Sequence, residues 1–138
     1  MTSTYLNTDV DIQSSENLTD LATVLEPQCE LLDAHRAEDG CWCICLEATE
    51  SGVISEGHHN PTTDITKLLE VFESLEDEAK RLLNASQVEF NIGWQSSEHR
   101  PEGTFAIPGN LLRRISDLGA TLAVTIYPSS ENDLSDGN

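Results

Sequence analysis

The chain has 138 residues, 38% of them hydrophobic and 5% aromatic, and carries 25 acidic residues against seven Lys and Arg, a formal net charge of −18 at pH 7. That length fits a single domain, and no run approaches the ~20 apolar residues a membrane-spanning helix needs. A charge so far outside the range of about 2–8 units usual for a small domain repels phosphate backbones and anionic membranes, which excludes ordinary nucleic-acid binding.

Residues 4–12, "TYLNTDVDI", alternate, with Leu6, Thr8, Val10 and Ile12 on one side and Tyr5, Asn7, Asp9 and Asp11 on the other, and predict a half-buried strand. Leu18, Leu21, Ala22 and Leu25 then follow at helical spacing, after Ser and Asn residues suited to capping and before Pro27. Cys29 to Ala34 reads as a second strand, and Asp39-Gly40 as a hairpin turn supplying positive φ. In "GCWCICLEAT" the period of two turns Trp42, Ile44, Leu46 and Ala48 to one face and Cys41, Cys43, Cys45 and Glu47 to the other. Beyond a polar loop and Pro61, the residues Ile65, Leu68, Leu69, Phe72, Leu75, Ala79, Leu82 and Leu83 keep a helical rhythm, with a kink near Leu75 where Ser74 and Asp77 restart it. "SQVEFNIGW" alternates with Val88, Phe90, Ile92 and Trp94 inward, and the loop 95–103 leads to a short strand "TFAI". "PGNLLRRISDLG" is a marked helix with Leu111, Leu112, Ile115 and Leu118 inside, and "ATLAVTIYP" a last strand with Leu122, Val124 and Ile126 on one face.

The order β-α-β-β-α-β-(β)-α-β, with strands apolar on one face only, predicts an α+β domain over residues 1–128. Its sheet is expected to be mixed or antiparallel, of about five strands, in the ferredoxin-like style with all helices on one side. Residues 129–138, "SSENDLSDGN", read as an acidic disordered tail. The bare face should show Asn7, Asp9, Asp11, the three cysteines, Glu47, Glu89, Asn91, Thr121, Thr125 and Tyr127. The opening "MTSTYLNTDV" lacks the basic and apolar regions of a secretory signal, so a cytoplasmic location is expected, where four cysteines read as free thiols.

The segment "EFNIGW", a variable loop, then "FAIPGNLLRRISDLGATLAVTIYP" resembles the C-terminal half of an uncharacterised bacterial group known as domain of unknown function 4279, with the resemblance best over residues 65–128. It rests on a strand–loop–helix–strand ending, a leucine- and arginine-rich helix, a Leu-Gly-Ala corner and a terminal Ile-Tyr. The resemblance implies a fold and no activity, cofactor or site residues.

Candidate chemistry is sparse. Three thiols at alternate strand positions lie roughly 6–7 Å apart by strand rise, whereas ligands bound at about 2.3 Å to one ion must lie within roughly 4 Å of each other. Cys41, Cys43 and Cys45 therefore read first as strand packing. The alternative is a thiol sensor or metal site assisted by Cys29, His58 or His59. His58 and His59 lie in a loop outside any zinc-protease pattern. His99 and Arg100, cations flanked by Glu98 and Glu102, sit in a loop between apolar segments and are candidates for a partner contact. "ESLEDE" at 73–78 reads as a solvated helical face. Glu47 and Glu89 are expected to share the bare face with Asp9 and Asp11. No G-x-S-x-G, Walker loop or G-x-G-x-x-G occurs.

The charge is uneven: residues 9–78 hold 18 acidic residues against Arg36 and Lys67, and the remainder seven against five. A uniformly acidic proteome adapted to salt, or plain solubility, accounts for net charge; the asymmetry between halves favours a charge-selected partner. The expectation is a non-enzymatic domain without a cofactor that binds a basic protein, in its most concrete form an immunity or inhibitor protein covering a basic toxin or nuclease. Asp9, Asp11, Glu47 and Glu89 would be its central contacts, with a homodimer also compatible through the open face or an edge strand.

Overall fold

The structure, a computed structural model, describes residues 4–48, 60–96 and 104–128. Its strands are β1 (Thr4–Ser14), β2 (Cys29–Arg36), β3 (Trp42–Ala48), β4 (Gln87–Gln95) and β5 (Thr121–Tyr127). Its helices are α1 (Thr19–Leu25), α2 (Pro61–Glu73), α3 (Asp77–Asn84) and α4 (Gly109–Asp117). The tail and the loop residues His58, His59, His99 and Arg100 lie outside the described residues.

Local chemistry explains most boundaries. Gly40 takes φ +91° in the β2–β3 turn, where Asp39 Oδ1 accepts from the Cys41 amide at 2.9 Å. Asn60 caps α2 by accepting from the Thr63 amide at 2.9 Å, and Pro61 follows at the first helical position. The long apolar rhythm divides where the kink is expected, as two helices joined at Ser74–Glu76. Gly119, at φ +71°, ends α4.

The sheet order is β2-β3-β1-β4-β5. The first four strands pair antiparallel and β5 adds parallel to β4, returning through α4. The chain is thus α+β with a mixed five-stranded sheet, and β2-β3-β1-β4 reproduces the ferredoxin-like order. Alternate residues of the central strands, Val10, Ile12, Ile44, Leu46, Val88, Phe90 and Ile92, are buried against Leu21, Leu25, Ile65, Leu69, Phe72 and Leu83 of the helices. Glu73 of α2 grips Arg114 of α4 through two bonds of 2.7 and 2.8 Å, tying the second crossover to the first. Among the described residues no helix is long and apolar enough to cross a membrane.

Four expectations are corrected. A bulge at Leu6 shifts the register between Tyr5 and Asn7, so Tyr5 joins the helix-facing side and Leu6 turns out. The segment 104–107 forms no strand; Phe105 leaves the sheet plane to pack on Trp94, with ring centroids 4.9 Å apart. Leu112 is exposed because α4 lies over an edge strand and buries only the narrow stripe of Leu111 and Ile115. Val124 and Ile126 belong to the helix-facing side of β5, yet are 46% and 66% exposed, since of that side of β5 only Leu122 packs against the core.

Candidate functional site: an acidic sheet face

Pairing registers convert the alternating carboxylates of single strands into rows running across them. One row reads Glu30, Glu47, Asp9, Asn91 from β2 to β4, and the next reads Asp33, Cys45, Asp11, Glu89. Six carboxylates on four strands thus occupy two adjacent rows of the face opposite the helices. Strands lie about 4.8 Å apart and successive same-face residues about 6.7 Å, so the charges form a close two-dimensional array. Asp9, Asp11, Glu47 and Glu89 are half-buried by their neighbours, while Glu30 and Asp33 on β2 are exposed. Apart from Arg100, every Lys and Arg of the chain stands on a helix or, for Arg36, over the Trp42 ring at 6.0 Å. Nothing basic among the described residues neutralises the array except His35, which engages Asp33 at 2.8 Å when protonated.

Asp9 and Glu47 face each other directly, and the Asn7 amide donates to both, at 2.9 Å to Asp9 Oδ1 and 3.1 Å to Glu47 Oε2. Asn7 reaches them because its cross-strand partner is Gly93: a Cβ there would stand 2.7 Å from Asn7 Oδ1. Burial pushes the Asp9 carboxyl up to about 6, helped by a hydrogen bond shared with Glu47 and by repulsion from Glu47 and Asp11. A carboxyl with a higher pKa folded than unfolded keeps its proton longer in the folded state, so the contribution of Asp9 to stability grows on acidification from pH 7 and is lost as pH rises through 6. A shift of this size is worth up to roughly 3 kcal/mol, which solvent screening of a part-exposed pair reduces to about 1 kcal/mol. Asp9→Asn is therefore expected to add about 1 kcal/mol at neutral pH and to flatten the stability profile between pH 4 and 6. Urea midpoints of both proteins on either side of pH 6 read this; parallel profiles would refute the account.

The cysteines do not form a converging row. Cys41 precedes β3 in the turn, Cys43 and Cys45 point to the acidic face, and Cys29 is buried on the helix side of the sheet. Burial pushes the Cys45 thiol up to about 12, reinforced by a hydrogen bond to Asp11 and by the charges of Asp11, Asp9 and Asp33. Burial raises Cys29 to about 11. Both are held as thiols, the form that neither attacks nor ligates readily. Among the described residues no three His, Cys, Asp or Glu side chains converge on a common point for a metal ion. The candidate residues His58, His59, His99 and Arg100 lie outside the described residues.

Glu30 and Asp33 are members of the array that the sequence does not announce. The β2 sequence "CELLDAHR" loses its alternation at a bulge between Leu31 and Asp33, so both fall on one face although three positions apart. Beside the second row, Asp11, Gln13, Gln87, Glu89 and Thr121 line a groove of about 460 Å³, open to solvent and of a size to admit a lysine or arginine side chain. No family model, curated protein or solved structure matches the chain.

Proposed function

We propose that the uncovered face of the sheet docks a basic protein, and that the protein works as an inhibitor or immunity-type partner masking the cationic surface of a toxin or nuclease. The observation that carries this reading is the pair of cross-strand rows Glu30–Glu47–Asp9 and Asp33–Cys45–Asp11–Glu89, in which Glu30 and Glu47, Glu47 and Asp9, and Asp11 and Glu89 stand directly opposite one another. Like charges opposite each other destabilise a sheet, so the arrangement costs the isolated fold and is offset when cations dock. Among the described residues the six carboxylates of this face have only His35 beside them, whereas those of the helices share their layer with Lys67, Lys80, Arg81, Arg113 and Arg114. Guanidinium groups fit such pairs bidentately, and the groove beside Asp11 and Glu89 offers one of them depth.

The test is association with a panel of immobilised basic nucleases across ionic strength. Asp11→Asn/Glu47→Gln/Glu89→Gln is compared with a helix-side variant of equal charge, Glu70→Gln/Glu76→Gln/Asp77→Asn. Binding to a cognate partner should be saturable, and the sheet-face variant should lose association rate and salt dependence first, by about tenfold or more. The helix-side variant should bind like the parent. Equal losses in both variants, or no saturable binding to any basic protein, would reduce the charge to general acidity.

A further inference from the structure

The two edges of the sheet are built differently. The β2 edge carries Glu30, Asp33, His35 and Arg36 and a bulge at Leu32, the devices that discourage edge-to-edge pairing. β5, "TLAVTIY", has no charged side chain, no proline and no register shift against β4. It is the one strand of the five without an Asp, Glu, Lys or Arg, in a chain of net charge −18. The Tyr127 carbonyl accepts from the Ser96 amide at 3.1 Å, so the backbone of Tyr127 turns toward β4. In a parallel ladder the two polar groups of a residue share a side and neighbours alternate. Leu122, Val124 and Ile126 therefore direct their amides and carbonyls away from the sheet. Their side chains meanwhile lie on the helix side, where Val124 and Ile126 remain exposed.

From these facts we infer that β5 pairs antiparallel with β5 of a second copy, about a two-fold axis at Val124. In that register Val124 meets its own counterpart and Leu122 meets Ile126, each pair exchanging two bonds, about six backbone hydrogen bonds in all. Residues directly opposite share a face, so the exposed Val124 and Ile126 of both copies form one apolar strip between the two α4 helices. A second copy is the fitting occupant on two counts. The strand is complementary to itself, large against large on the helix side and Thr121 against Tyr127 on the other. And its neutrality gives two strongly acidic chains the approach of least repulsion. The neighbouring segment after Pro128, "SSENDLSDGN", offers Leu134 as its one large apolar side chain, too little to cover the strip. Both bare faces then lie on the same side of one continuous sheet, doubling the acidic array.

Sedimentation equilibrium of the full chain over a wide range of concentration and salt tests this. A monomer–dimer equilibrium is expected that tightens as salt screens the repulsion between copies, opposite in sign to the salt response of partner binding by the acidic face. Val124→Lys places like charges opposite each other on the axis and should weaken the dimer at least about 100-fold. Its circular dichroism and melting should match the parent, because Val124 is already half exposed. Leu32→Lys at the guarded β2 edge should leave the dimer intact. Amide exchange at Leu122, Val124 and Ile126 should slow as concentration rises. A monomer under all conditions, a dimer that Val124→Lys leaves unweakened, or protection of these amides at dilutions where only monomer is present would overturn the proposal.

Discussion

Phe90→Ala is expected to cost about 3–5 kcal/mol, a large share of the roughly 5–15 kcal/mol that holds a domain of this kind together. Phe90 is fully buried at the centre of the sheet, opposite Val10 of β1 and Leu122 of β5. Its ring meets the Phe72 ring of α2 edge to face, with centroids 6.0 Å apart and planes at 78°. With only three Phe in the chain, the surrounding aliphatic side chains have little aromatic bulk with which to refill the cavity. The expected signature is a lowered urea midpoint with an unchanged slope. Phe90→Leu, which keeps most of the volume, should cost less than half as much. A loss below about 1 kcal/mol for the alanine variant would mean that the helix layer collapses freely onto the sheet.

Tyr5→Phe should destabilise by about 1.5–3 kcal/mol, the range for a hydrogen bond to a charged group. The Tyr5 hydroxyl donates to Asp64 Oδ2 and lies 2.6 Å from Thr8 Oγ1. Asp64 is only 7% exposed, in the first turn of α2, where the helix dipole favours a carboxylate. Burial, and then the bond to Asp64, pushes the Tyr5 hydroxyl far above its ordinary range, so it remains a donor at any physiological pH. The substitution leaves the ring in place and removes only that donor. Denaturant midpoints of Tyr5→Phe and Thr8→Val separate the two contacts; if Tyr5→Phe matches the parent, the hydroxyl contributes nothing net.

How much of this was legible in the sequence follows from what each pattern encodes. Alternation in residues 7–13, 42–48 and 88–94 assigns faces correctly, because a period of two is a local property of an extended chain, and with it come the core and the placement of Asp9, Asp11, Glu47 and Glu89 on the bare face. A bulge is a single extra residue, and nothing local marks it. Leu6 fits the apolar phase of Thr8, Val10 and Ile12, so Tyr5 reads as exposed until the register with Trp94 places it against Asp64. The same blindness hides Glu30 and Asp33. That Asp9 stands opposite Glu47, and Asp11 opposite Glu89, depends on strand order and register, which one strand's alternation does not carry. The exposure of Leu112, Val124 and Ile126 is likewise a matter of where the helix layer ends, a tertiary fact with no periodic signature.

The carboxylate rows also make the fold frustrated across the middle of its sheet. The repulsion that Glu47 and Asp11 exert on Asp9 is present in the native state and weakens when the chain unfolds and the charges separate, which lowers the stability of the empty protein. Anything cationic that docks on the rows and leaves the unfolded chain alone relieves that repulsion. At a hundredfold excess over its dissociation constant, such a ligand adds about 2.7 kcal/mol to the unfolding free energy. On the proposed reading, folding and recognition would be linked through these side chains, and the melting temperature of the protein would report occupancy by a basic partner.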